Sequence, residues 1–455
     1  MSLSIINPAN GEQVADLPVD GPDDIRAKVD AARRAQSGWA ARPLDARITA
    51  IRRFRELVVE RREELAVKLT TEVGKPIRQA RNELDGTLPR FDFFIEHSAA
   101  TLADQVVLTD AGMTERIQLE PLGLVANISA WNYPWFVGLN VILPALVAGN
   151  AVLYKPSEYA SLTGLSIADL LAESGVPEDV FSVVIGNGQV GAALLDHRMN
   201  GVFFTGSYAT GLRVAQAAAR SLAHVQLELG GKDPTYVCED VDVAATAASV
   251  ADGAFYNTGQ SCCAVERIYV HESIYDRFLD AFVETVRGFV LGDPRDEGTY
   301  IGPLARRDPA IALMQEQTTD ALEKGARLLA GGHRVERPGW FFEPTVLADA
   351  NHETRVMREE SFGPIIGIQS VSCDEEAARL MADTYYGLTA GVYTPDTARA
   401  ERLLSQVPVG SAYVNCCDRV SPRLPWSGRG HSGVGCTLST YGIRAFVQTR
   451  GWHLR

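Results

Sequence analysis

No stretch of the 455-residue chain approaches the ~18 uninterrupted apolar residues that a membrane helix requires, so neither a membrane span nor a membrane partner is expected. Basic residues are in deficit: the formal net charge is −14, which argues against general nucleic-acid binding, because phosphate contacts need clustered Lys and Arg. Cysteine is sparse. The seven thiols (238, 262, 263, 373, 416, 417, 436) are too few and too irregularly spaced for a disulfide scaffold. The adjacent pairs 262–263 and 416–417 lack both the spacing of roughly two to four residues between zinc ligands and a matching His, so no metal site is expected. The opening MSLSIINPANGEQ has neither a basic head nor an apolar run, so no secretory signal is read there and a cytoplasmic location is the expectation. Repeats with a 20–50-residue period and low-complexity linkers are also missing.

What is present is a chain too long for one hydrophobic core, with 46% hydrophobic and 22% charged residues, ordinary for a globular protein of two or more domains. Residues 22–101 repeat apolar positions every three or four residues and read as helices, interrupted at Gly74 and Pro76. At 105–118 the pattern becomes β-like around a turn at 110–112. Short apolar strands then alternate with helical stretches: LGLVANISA, AVLYKP, VFSVVIG, GVFFTGS and VQLELGG. A second alternating region spans about 231–431, with RIYVHE, TAGVYT and SAYVN as strands. Such alternation predicts parallel, doubly wound sheets, which bind ligands beyond the carboxyl ends of their strands.

Two glycine turns compete for a pyrophosphate. GNGQVG (186–191) fits G-x-G-x-x-G, with Gly188 at its centre, but no acidic residue closes a strand ~20 residues later, and a plain strand-to-helix turn is the favoured reading. FFTGSYATG (203–211) is the better candidate: a strand ends at Gly206, a helix begins soon after Ser207, and Gly211 follows.

Four separated segments make a specific signal together: ISAWNYPW (128–135), LELGGKDP (227–234), YNTGQSCCA (256–264) and EESFGP (359–364). With INPANGE, LYKPSE and PWSGRGHSGVG, this set resembles the aldehyde dehydrogenase superfamily over nearly the whole chain. The resemblance implies two doubly wound α/β domains, a Rossmann-like cofactor domain (1–104 and 121–230) and a catalytic domain (231–431). A small β oligomerisation element (105–120 and 432–455) would join subunits into a homodimer or homotetramer. It further implies NAD(P)-dependent oxidation of a small-molecule aldehyde. Cys262 would be the nucleophile, since a thiolate is the side chain best suited to add to a neutral carbonyl, and Cys263 a buried neighbour. Asn132 would donate to the developing oxyanion, and Glu228 would activate the water that hydrolyses the thioester. Trp131, Lys155, Ser157, Glu158, Gly206, Ser207, Gly211, Leu229, Glu360 and Phe362 would hold the cofactor, with Gly188 kept among them. Glu158 favours NAD over NADP, because a carboxylate accepts from a ribose 2′-hydroxyl and repels a 2′-phosphate.

The chain departs from the family pattern in places. Ala130 stands where Pro is usual, Val141 where a Lys is common, and Thr437 where relatives carry a Glu that assists deacylation. Loss of both charged partners is more coherent than loss of one, and implies Glu228 working through water alone. Asn140 replaces the Arg that succinate-semialdehyde relatives often carry, which disfavours free carboxylate substrates unless another Arg serves. Tyr133, Trp135 and Trp426 are expected at the aldehyde entrance, either as a funnel for aromatic or medium-chain aldehydes or, with Glu83 adding negative charge, as a cation–π site for amino- or betaine-type aldehydes. Two rival functions are a CoA-acylating semialdehyde dehydrogenase, which would not need Glu228, and a catalytically silent NAD-binding protein, which would not need the Cys262–Asn132–Glu228 set.

Overall fold

The computed structural model describes residues 2–110 and 112–455; the turn expected at 110–112 includes Ala111, which lies outside the described residues. Four helices open the chain after a short hairpin (Ser2–Ile6 with Gln13–Pro18): Pro22–Ala40, Leu44–Glu60, Arg62–Val73 and Ile77–Thr101. The interruption expected at Gly74 is a left-handed C-cap (φ 83°), where an added Cβ would meet Pro303 and Pro8.

Two sheets carry the architecture. The first has the order Phe181–Val183, Ala151–Lys155, Leu124–Ile128, Gly201–Thr205, His224–Glu228 and Gly433–Val434, parallel except for the last pairing. All five strands expected from the alternating pattern are present, and the three central ones (Ala151–Lys155, Leu124–Ile128 and Gly201–Thr205) are buried on both faces, which explains their continuous apolar runs. Strand order reverses direction between Leu124–Ile128 and Gly201–Thr205, so the crevice for a ligand opens above those two ends. The second sheet runs Arg327–Ala330, Thr345–Ala348, Ile365–Val371, Arg267–His271, Pro234–Val237, Thr389–Tyr393 and Ser411–Val414, again parallel but for its first edge strand.

A third sheet pairs Val447–Leu454, Met113–Pro121 and Gln105–Asp110 within one chain. The C-terminal strand was expected as an added edge; its partner here is Met113–Pro121 of the same chain. Within 432–455, expected in the oligomerisation element, Gly433–Val434 joins the first sheet: Gly433 pairs with Glu228 and Val434 with Leu227. Glycine at 433 (φ 127°) permits that approach, since a Cβ would lie 2.0 Å from the Leu227 carbonyl. No helix among the described residues is long and apolar enough to cross a membrane.

Candidate active site

The parallel register brings the predicted groups to one edge. Ile128 lies beside both Lys155 and Phe204, and Thr205 beside Glu228, so the segments that follow these strand ends converge. Two cavities meet there, of ≈ 560 and ≈ 300 Å³, and both are lined by Cys262, Glu228 and Trp426. The smaller also gathers Trp131, Asn132, Gly206, Ser207, Leu229, Glu360 and Phe362. Ser207 is the N-cap of the helix Tyr208–Ala219, leaving the first-turn amides free to face an anion.

Cys262 sits in a loop between the turn Tyr256–Gly259 and the strand Arg267–His271. That turn holds Asn257 and Thr258 in the left-handed region (φ 53° and 60°), a conformation that costs energy and needs support. Support comes from Asn257 itself: its backbone N–H donates to Gln79 Oε1 at 2.9 Å, and its Nδ2 donates to the carbonyls of Asn132 and Gln260, each at 3.1 Å. Sequence reasoning passed over Asn257 and Gln79, whose roles depend on contacts across more than a hundred residues.

The two adjacent thiols differ in setting. Cys263 is buried, and its Sγ contacts Asp418 Oδ1 at 3.0 Å. Contact with Cys262, burial and the Asp418 carboxylate all push its pKa well up, keeping it a thiol. Cys262 is partly open to both cavities.

Glu228 is buried, and burial raises its pKa from 4.5 to about 7. Its Oε1 accepts from the Thr437 hydroxyl and, at 3.2 Å, from Gln226 Nε2. The residue standing where relatives carry Glu thus donates directly to the carboxylate, a contact the expectation of Glu228 working through water alone did not include. Thr437 is held by a backbone bridge to Trp426 (Trp426 N to Thr437 O 2.8 Å and the reverse 2.9 Å). Val141 is in the apolar core, 2% exposed, and contributes nothing polar.

The residues expected to hold the cofactor fall into two groups. Lys155 Nζ lies 3.6 Å from Glu158 Oε2, and Ser157 Oγ 3.4 Å from the same carboxylate. Glu360 Oε1 accepts from the Gly231 N–H at 3.1 Å, and burial together with Glu266 pushes it up to about 8. Phe362 stands edge-on to Trp131 with centroids 5.6 Å apart. Gly211 acts in packing, because a Cβ there would meet the Leu229 side chain at 2.5 Å. A nucleotide fits this arrangement: the helix start at Ser207 opens on the smaller cavity for phosphates, and the Lys155–Glu158 pair, at the end of the strand Ala151–Lys155 in the same sheet, is suited to ribose hydroxyls.

Lys155, Ser157, Glu158 and Gly211 line neither cavity, and three further expected residues stand apart from the site. Gly188 lines neither cavity; it opens the helix Gly188–Leu194 after an Asn187 cap, the plain turn. Trp135 is 1% exposed and packs in the core of the helix Pro134–Ala148, where helical periodicity turns it away from Tyr133. Glu83 adds no charge at the entrance: it is fully buried, pairs with Lys75, and accepts the Trp135 N–H at 2.9 Å. Tyr133 and Trp426 do line the larger cavity, joined by two residues the sequence did not single out, Arg90 and Phe136.

Residues 1–451 match the model of the aldehyde dehydrogenase family. The chain belongs to that family and is an NAD(P)-dependent aldehyde dehydrogenase. It is 34% identical to aminoaldehyde dehydrogenase 1, peroxisomal, of Malus domestica, over 98% of this chain and 91% of that protein. It is 36% identical to the chloroplastic betaine aldehyde dehydrogenase of Beta vulgaris, over 98% of this chain and 92% of that one. Among solved structures, an E. coli NADP dependent enzyme superposes with a TM-score of 0.97 at 32% identity, covering all of this chain and 95% of that one. PnpE in complex with nicotinamide adenine dinucleotide does so with a TM-score of 0.97 at 34% identity, covering all of this chain and 94% of that one.

Proposed function

We propose that the chain oxidises an aldehyde to the carboxylic acid through a thioester on Cys262 that water, activated by Glu228, hydrolyses. The observation carrying this reading is that Cys262 and Glu228 face both cavities at their junction, so one thiol and one base serve an aldehyde from one side and a nucleotide from the other. The Cys262 sulfur adds to the aldehyde carbon, and the resulting oxyanion accepts from Asn132 and the Cys262 backbone N–H. Bound NAD supplies the hydride acceptor. Loss of hydride leaves the acyl group on sulfur. Glu228 then takes a proton from water as its oxygen attacks the acyl carbon, the C–S bond breaks to return the sulfur as the thiolate that began the cycle and release the acid, and Glu228 passes its proton to solvent. A base with its pKa near 7 is matched to that task, and the Thr437 and Gln226 donors orient it.

Lys155, Ser157 and Glu158 would hold the adenosine ribose, Gly206 and Ser207 the pyrophosphate, and Glu360 and Phe362 the nicotinamide ribose, beside Trp131 and Leu229. The Glu158 carboxylate favours NAD. The cofactor domain would comprise 1–104 and 121–230, with 432–438 added to it, and the catalytic domain 231–431. Val106, Val107 and Leu108, 62%, 56% and 40% exposed on the edge strand Gln105–Asp110, support a homo-oligomer through the three-stranded sheet.

The test is purified protein, NAD and an aldehyde panel without CoA, with NADH followed beyond one equivalent per subunit. Sustained turnover is expected. A burst that stops near one equivalent and resumes on adding CoA would replace hydrolysis with acyl transfer to CoA; no NADH at all would make the chain a silent relative.

A further inference from the structure

Arg90, on the helix Ile77–Thr101, lines the larger cavity together with Cys262 and Glu228 yet is only 3% exposed. Its Nε donates to Asn140 Oδ1 at 3.0 Å and its Nη1 to the Gly86 carbonyl at 2.6 Å. Both acceptors are neutral, Nη2 has no protein acceptor, and Arg90 enters no ion pair among the described residues. Burial pulls its pKa down to about 10, although the Glu83 and Glu228 carboxylates, which do not bond it, push the other way. A buried cation of this kind is costly unless an anion completes it.

The other charged groups on the same wall are already satisfied. Asp85 is bound by Arg62 at 2.5 Å, and Asp252 accepts from the Tyr300 hydroxyl at 2.5 Å. Asp418 accepts from Ser261 Oγ and Cys263 Sγ, both at 3.0 Å, and Glu228 has Thr437 and Gln226. Arg419 lies on the exposed rim. Two of the cavity's aromatic rings are also engaged: Lys75 Nζ stands 3.6 Å from the Tyr133 ring centre, Tyr133 stacks on Phe136, and Arg90 Cζ stands 3.8 Å from the Phe136 ring centre. A cationic substrate would find the Tyr133 and Phe136 rings already holding protein cations and would meet a guanidinium of its own sign, with Tyr256 and Trp426 as the rings left to it.

We propose that Arg90 receives an anionic group on the substrate, so that the aldehyde carries a carboxylate at the end remote from its reacting carbonyl. The proposal rests on Cys262 being the nucleophile in the same cavity. A planar guanidinium fixed by Asn140 and Gly86, with N–H groups left over, is suited to a carboxylate. The sequence pointed away from this class because Asn140 stands where an Arg would signal it; in the fold, Asn140 instead orients an Arg from another helix.

Full-length enzyme with NAD would be assayed with 4-oxobutanoate and 5-oxopentanoate, their methyl esters, and 4-trimethylammoniobutanal. The readout is the ratio of kcat/KM for each acid to that for its ester. On the order of thirtyfold or more is expected for the native chain, as for other buried charge pairs. Arg90→Met should bring the ratio to about one, and Arg90→Lys should leave it between. A native ratio near one, or preference for the trimethylammonio aldehyde, would overturn the proposal, and this arm decides even where Arg90→Met fails to fold. So would an Arg90→Met enzyme slowed equally on every aldehyde with its ratio intact, because Arg90 would then act on Glu228 instead. No NADH from any of these aldehydes would remove the aldehyde-oxidation reading itself, and this one with it.

Discussion

Asn257 donates from Nδ2 to the backbone carbonyl of Asn132 at 3.1 Å, so a side chain just ahead of the proposed nucleophile fixes the segment that carries the proposed oxyanion donor. Asn257→Gly keeps the left-handed backbone (φ 53°) accessible while deleting the bond. The first-turnover burst of NADH, read by stopped flow, should slow by roughly tenfold to a hundredfold, the scale of a small misplacement of reacting groups. An unchanged burst would show that Asn132 is positioned without Asn257.

The thiol pair makes an opposed prediction. Cys262→Ala should abolish NADH formation, whereas Cys263→Ala should remain active and sensitive to iodoacetamide, because burial and the Asp418 carboxylate keep Cys263 protonated. Activity surviving in Cys262→Ala would sink the assignment.

Much of this site was legible in the sequence because it lies at strand ends. An apolar run followed by Gly, Asn or Glu marks where a parallel strand stops, and Asn132, Ser207 and Glu228 all follow such runs. Side chains that reach the site from helices were harder to see. Arg90 belongs to a helix rich in charge, where Arg78 is exposed and Arg81 pairs with Glu63 and Glu297. A signal existed all the same: Ala80, Glu83, Leu84, Thr87, Arg90 and Phe94 form one buried stripe at helical spacing, and a charged residue on such a stripe needs a partner. Trp135 was misplaced for the converse reason, since aromatic character was weighed without asking which way its helix turns it. Thr437 was read as the loss of an acid; only the pairing of Gly433 with Glu228 reveals that its hydroxyl reaches the carboxylate.

Glu228 predicts two pH effects. Hydrolysis needs its anion, so the steady-state rate should rise with pH through about 7. The Thr437 hydroxyl favours the anion, so Thr437→Val should move that midpoint upward, and a midpoint that stays or falls would refute the contact's role. Stability runs the other way. A carboxyl whose folded pKa is raised above 4.5 contributes stability that is full below that value and lost as pH rises through about 7. Glu228→Gln should therefore be more stable than the native chain at pH 8 than at pH 4, by up to roughly 3 kcal/mol in chemical denaturation.

The Lys75–Glu83 pair is fully buried, and Glu83 also holds the Trp135 N–H that begins the helix after Asn132. Glu83→Gln strands the Lys75 ammonium and should cost about 3–5 kcal/mol in denaturant unfolding. Glu83→Gln combined with Lys75→Met should recover most of that loss. A single variant as stable as the native chain would mean the pair is not ionised.

Gly230 tests the nucleotide side without touching the sulfur. It has an ordinary backbone conformation, so its need for glycine is one of space: a Cβ would stand 2.1 and 2.3 Å from the two Glu360 carboxylate oxygens. Gly230→Ala must push that carboxylate aside, and because it is the end of a flexible side chain, the fold should lose only about 1 kcal/mol. If Glu360 holds the nicotinamide ribose, the Kd for NAD should rise about tenfold, equivalent to 1.4 kcal/mol. The iodoacetamide rate of Cys262 without nucleotide should not move, since Cys262 also opens on the larger cavity, which Glu360 does not line and through which the reagent still reaches it. Weakened NAD binding with an unaltered thiol rate places Glu360 on the cofactor. Unchanged NAD affinity would detach Glu360 from it, and would leave the Gly231 N–H, which Glu360 accepts at 3.1 Å, as the reason for a carboxylate at that position.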